Sequence, residues 1–138
     1  MYNQFQVTAT ISTLSERGEE QSKTQNYIIC AYTFTEAENV THTIVGSNLL
    51  GITAIKRSTY DYVFDSNDKA LFFAIDIQET SISDASGREQ KVKTKALVAA
   101  DDIEEAKQLF LQHYEMLPST TILSIKQTNI NEYIPLQK

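Results

Sequence analysis

Ile52-Thr53-Ala54-Ile55-Lys56-Arg57-Ser58-Thr59-Tyr60-Asp61-Tyr62-Val63-Phe64 has a counterpart near the end of the chain. That counterpart is Ile122-Leu123-Ser124-Ile125-Lys126-Gln127-Thr128-Asn129-Ile130-Asn131-Glu132-Tyr133-Ile134. Ile52, Ile55 and Lys56 match Ile122, Ile125 and Lys126 at an offset of 70. Both stretches are rich in β-branched and aromatic residues and read as strands, over residues 52–64 and 122–134. Each follows a helix-like segment, and each of those follows two strand-like segments. The chain therefore reads as one unit made twice.

Working outward, residues 4–14 alternate, with Phe5, Val7, Ala9 and Ile11 on one side and Gln6, Thr8, Thr10 and Ser12 on the other. A period of two predicts a half-buried strand. Ser15-Glu16-Arg17-Gly18 supplies a turn, and residues 20–32 become apolar through Tyr27, Ile28, Ile29 and Ala31. Thr33-Phe34-Thr35-Glu36 has capping-box spacing, and Phe34, Ala37, Val40, Thr41 and Ile44 follow at helical spacing. Gly46-Ser47-Asn48 reads as the stop, and Asp65-Ser66-Asn67-Asp68 as the turn between the halves.

The second half repeats this order. Leu71, Phe73, Ile75 and Ile77 alternate, Ser83-Asp84-Ala85-Ser86-Gly87-Arg88-Glu89 forms a turn, and residues 91–99 form a strand. Asp102-Ile103-Glu104-Glu105 repeats the cap, and Ile103, Ala106, Leu109, Phe110, His113 and Leu117 make an apolar stripe that Pro118 ends. The predicted fold class is α+β: an internally duplicated β-β-α-β unit with two helices packed on one face of an antiparallel or mixed sheet. It is expected as a single domain over 1–138, with pseudo-repeats 1–66 and 67–138. Half a chain of this length is near the lower limit for an independent core, so the halves are expected to share one. Phe34 and Ile103 are expected to face it.

The formal charge of −6 gives no long-range attraction to a phosphate backbone, although it leaves room for a local basic face. No apolar run approaches a membrane span, and Met1-Tyr2-Asn3-Gln4-Phe5-Gln6 lacks a secretory pattern, so a cytoplasmic protein is expected and no membrane partner. Cys30 stands alone in an apolar run and reads as a buried small hydrophobe. His42 is expected in solvent and His113 in the core or at its boundary. There is no C-x-x-C, H-E-x-x-H, G-x-S-x-G, Walker loop or dinucleotide fingerprint. The expectation is no metal, no cofactor and no catalytic residue. Asp101-Asp102 and Glu104-Glu105 read as first-turn charges favoured by the helix dipole.

One constellation remains. Lys91, Lys93 and Lys95 alternate, so a strand puts them on one face. If residues 52–64 form one regular strand, Lys56, Ser58, Tyr60 and Tyr62 are in phase. With Arg57, these residues could hold phosphates and stack the bases of a single-stranded nucleic acid. The plainer alternative is a solvated face, or edge lysines that discourage strand-to-strand aggregation. The first-half counterparts of the lysines are Ser22, Thr24 and Asn26, which favours the plainer one.

The order of short motifs is itself informative. Phe34-Thr35-Glu36-Ala37-Glu38 is followed by Ile52-Thr53-Ala54-Ile55-Lys56-Arg57 and by Tyr60-Asp61-Tyr62-Val63-Phe64. In the second half come Ser86-Gly87-Arg88-Glu89, Leu97-Val98-Ala99-Ala100-Asp101 and Ala106. Over nearly its full length the chain resembles a domain-of-unknown-function family of Bacteroidota and their phages and mobile elements. The resemblance implies an intracellular bacterial or phage setting and carries over no catalytic residue; beside the cytoplasm, a particle (virion) assembled there is the other expected destination. The expected function is a non-enzymatic interaction module acting on a protein partner or on itself. Single-strand nucleic-acid binding is the alternative, and an enzyme whose site is not legible in the sequence is the third class.

Overall fold

A computed structural model describes residues 2–66, 68–82 and 85–137. The expected turns over 65–68 and 83–89 include residues 67, 83 and 84, which lie outside the described residues. The first unit comprises Met1–Thr59 and Ile130–Lys138, and the second Tyr60–Asn129.

In the first unit, β1 (Asn3–Leu14) and β2 (Glu20–Ala31) form a long antiparallel hairpin. Gly18 turns it at φ 80°, where a side chain would be strained, and its N–H bonds the Ser15 carbonyl at 2.9 Å. Helix α1 (Phe34–Val45) follows, then β3 (Leu49–Arg57), antiparallel to β1. In the second unit the same order recurs. After β4 (Tyr62–Phe64), β5 (Leu71–Ile82) and β6 (Glu89–Ala100) form the hairpin, with Gly87 at φ 67°. Helix α2 (Ile103–His113), β7 (Thr120–Gln127) and β8 (Glu132–Ile134) complete the chain. The duplicated β-β-α-β unit is thus present.

The sheet arrangement differs from the expected one. The described residues form two four-stranded mixed sheets, ordered β3-β1-β2-β8 and β4-β6-β5-β7. Each unit has its own core. Phe5, Val7, Ala9, Tyr27, Ile29, Ala31 and Ala37 pack in one, and Phe73, Ile75, Ile77, Val98, Ala106 and Phe110 in the other. Each helix covers one face of its own sheet, where alternation gathers Phe5, Val7 and Ile29 in one and Phe73, Ile75 and Val98 in the other, while Ile28, Cys30, Phe72, Leu97 and Ala99 are buried on the opposite faces.

The second difference explains the first. Residues 52–64 are two strands: β3 stops at Arg57, and β4 pairs parallel to β6 in the other sheet, with Tyr62, Val63 and Phe64 opposite Ala96, Leu97 and Val98. Residues 122–134 divide likewise, and β8 pairs parallel to β2, with Tyr133 opposite Ile28. The end of each repeat completes the sheet of the other. Matching clamps secure both crossings. Asp61 donates its N–H to the Lys95 carbonyl (2.8 Å) and accepts the Lys95 N–H on its carboxylate (2.9 Å). Asn131 does the same to Asn26, both bonds at 2.8 Å.

Both predicted caps form. Thr33 Oγ1 accepts the Glu36 N–H (3.1 Å), while Glu36 reaches back to the Tyr32 N–H (3.3 Å). Asp102 accepts the Glu105 N–H (2.8 Å), and Glu105 accepts the Asp101 N–H (3.0 Å). Thr33→Ala and Asp102→Ala are each expected to cost about 0.5–2 kcal/mol, read as a lower urea midpoint. Phe34 and Ile103 are not swallowed by the cores: they stay 47% and 48% exposed. They open the first turn of their helices, and Phe34 lies against Phe5, ring centroids 4.7 Å apart. Helix α2 stops at His113, ahead of Leu117 and Pro118.

Candidate interaction surface

The cationic and aromatic residues singled out in the sequence do not share a face. In an antiparallel sheet, directly paired residues point the same way. Lys91, Lys93 and Lys95 pair with Thr80, Gln78 and Asp76, so all three stand on the face of their sheet away from α2, and all are exposed. Tyr62 stands on the opposite, α2 side, beside Ala96 in register and edge-on to Tyr114 at 5.1 Å. Tyr60 precedes β4 and belongs to no strand. Lys56 and Arg57 lie in the first unit and, as strand neighbours, on opposite faces of it. Arg57 is over the Phe34 ring at 5.9 Å, a cation–π contact. The expected phase of Lys56 with Tyr60 and Tyr62 fails because the chain changes sheets between them.

What the fold does assemble is the lysine row and the backbone beside it. The strand β4 covers β6 only at Ala96, Leu97 and Val98, and Asp61 occupies Lys95. Residues 89–94 pair with β5 on one side and with no strand on the other, among the described residues. Residues 20–25 of β2 are placed identically, since β8 begins its pairing at Tyr27. These outer edges present N–H and C=O groups in strand geometry. The tips also expose Leu14 and Ile82, 74% and 72% accessible.

Lys69 contrasts with the row. It bridges Glu105 at 2.9 Å and Asp101 at 3.5 Å, and the hydrogen bond to Glu105 holds its ammonium pKa above the usual range. Lys91, Lys93 and Lys95 have no ion pair among the described residues. Among the described residues, no three His, Cys, Asp or Glu side chains are grouped to hold a metal ion. A shallow groove of about 360 Å³ is lined by Glu38, His42 and the β3 residues Ile52, Thr53, Ala54 and Ile55. His42 is exposed, and so is His113, whose ring stacks on Phe64 at 5.5 Å and so sits at the core boundary.

Cys30 is buried, with its sulfur 3.1 Å from the Tyr133 hydroxyl. Burial raises the thiol pKa, and the Tyr133 hydrogen bond partly offsets this. Burial also raises Tyr27, helped by the Glu132 carboxylate, and raises Tyr114, helped by Tyr62 and Glu79. All three are neutral when protonated and are held so by the fold. Their contribution is complete below the ordinary thiol and phenol ranges and is lost as pH rises through the raised values. The urea midpoint is therefore expected to fall between about pH 8 and about pH 11, with the earlier part of the fall reduced in Cys30→Ala.

No helix among the described residues is long and apolar enough to cross a membrane. No curated protein and no solved structure is significantly similar to the chain. The family model described as "Domain of unknown function (DUF4494)" matches residues 3–136, and the doubled unit with its exchanged end strands fills that span. The chain belongs to the DUF4494 family.

Proposed function

We propose that this chain is a non-enzymatic interaction module that works through protein–protein contact, using the open outer edges of its two hairpins. The observation that carries the reading is that β2 and β6 each accept a three-residue parallel strand and then leave six residues of edge, at 20–25 and 89–94, uncovered by any strand among the described residues. Each edge already recognises one extended segment through main-chain bonds, an Asx clamp and an apolar side chain packed on the core, buried Ile134 on one and half-buried Phe64 on the other. A partner strand would use the same chemistry further along. The setting we propose is the cytoplasm of a Bacteroidota host, as the product of a phage or mobile element, with the particle assembled there as a second destination; the support for it is the sequence resemblance.

The reading is tested by probing an array of extended peptides of varied charge with the full chain, and following amide exchange across residues 20–25 and 89–94. Slowed exchange at either edge on peptide binding supports it. If no peptide slows either edge, and exchange there is also unchanged from dilute to concentrated protein, the reading is wrong.

A further inference from the structure

We propose that the uncovered edge of β6 is an acceptor for an acidic, extended polypeptide segment, which docks as an added strand beside Lys91, Lys93 and Lys95. The inference rests on the interaction reading above and names the partner's chemistry. Three observations carry it. The lysines alternate along a strand whose outer edge is open over residues 89–94, so main-chain donors and acceptors lie directly beside the cationic row. The lysines are exposed and without an ion pair among the described residues, and the only charged residue opposite them in register, Asp76, already accepts the Ser124 hydroxyl at 2.8 Å. The other hairpin supplies an internal control: the same edge of β2 carries Ser22, Thr24 and Asn26 at the equivalent places. The two repeats kept the edge and differ in its charge.

A polypeptide fits better than a nucleic acid. An open strand edge offers paired N–H and C=O groups, which a second strand satisfies and a phosphodiester backbone does not. A base-stacking platform is also missing from this face, because Tyr62 stands on the other side of the sheet against Tyr114. The Asp61 clamp on Lys95 marks where the added strand must end, since it fills the main-chain position next to β4.

The test uses the full chain and a fluorescent peptide of about ten residues alternating Glu and Thr. Gln–Thr and Lys–Thr peptides and a single-stranded thymidine oligomer serve as comparisons. Binding is read by anisotropy, and its position by amide exchange. The acidic peptide is expected to bind, to slow exchange at residues 89–94 but not 20–25, and to weaken with added salt. The Lys91→Gln/Lys93→Gln/Lys95→Gln variant is expected to bind it roughly tenfold or more weakly, from the loss of three partly solvated charge contacts. All three positions are exposed, so the urea midpoint of the variant should match the wild type and separate lost binding from lost folding. If the neutral peptide protects the edge as well as the acidic one, the acidic class is wrong while the interaction reading stands. If no peptide protects either edge, both fail. Lysine-dependent binding of the oligomer without amide protection overturns the proposal in favour of a nucleic-acid ligand.

Discussion

Phe110→Ala is expected to lower stability by about 3–5 kcal/mol, the largest effect of any single truncation considered. Phe110 is fully buried and meets Phe64 at 6.1 Å and Tyr114 at 4.8 Å between ring centroids. It also joins Phe73, Ile75, Ile77 and Val98 in the core of its unit. Truncation removes the transfer free energy of the ring and leaves a cavity that a rigid sheet cannot close. Such a loss is a large share of the roughly 5–15 kcal/mol that ordinarily separates folded from unfolded protein. Urea denaturation followed by circular dichroism measures it. Leu111→Ala, one residue along but 44% exposed, is the control and should change stability by only about 0.5 kcal/mol. Comparable losses for the two variants would mean that α2 does not bury the face described. The corresponding place in α1 is Thr41, buried and bonded through its hydroxyl to the Ala37 carbonyl at 2.9 Å. There the aromatic bulk comes instead from the sheet, in Phe5, with Phe34 lying across it.

Asn131→Ala is expected to cost about 1–3 kcal/mol, because it strips a nearly buried amide of its acceptor. Asn26 is only 8% exposed, and the Asn131 side-chain oxygen takes its N–H at 2.8 Å. The loss should appear both as a lower urea midpoint and as faster exchange of the Asn26 amide. Asn131→Asp retains an acceptor, which is the arrangement Asp61 already provides for Lys95, and should recover most of the loss. Asp61→Ala should cost less than Asn131→Ala, since Lys95 is exposed and water can replace the lost partner. Unchanged exchange at Asn26 in Asn131→Ala would show that β8 is held by its apolar contacts alone, chiefly Ile134 in the core of its unit.

The local elements were legible from the chain because each follows from contacts within a few residues. Alternation in Phe5, Val7, Ala9 and Ile11 specifies a strand with one buried face. Thr33 with Glu36, and Asp102 with Glu105, specify helix starts. Gly18 and Gly87 specify turns that need positive φ. The repeat was also legible, since it is a comparison of the chain with itself. The candidate surface was legible in part: alternation alone places Lys91, Lys93 and Lys95 together.

Tertiary structure decided where the strands go. Residues 58–61 and 128–131 carry no signal that distinguishes an irregularity within one strand from a crossing between two sheets. Ser58, Tyr60 and Tyr62 have the same alternation either way. The choice is made at long range, by Lys95 offering its N–H and C=O to Asp61 and by Asn26 offering the same pair to Asn131. That choice split one expected sheet into two, gave each its own core, and put Tyr62 and Lys56 in different sheets. It also left the outer edge of β6 open beside its lysines, a consequence of a pairing partner only three residues long. Periodicity fixes which way a side chain points from its own backbone; only the partner strand fixes what lies next to it.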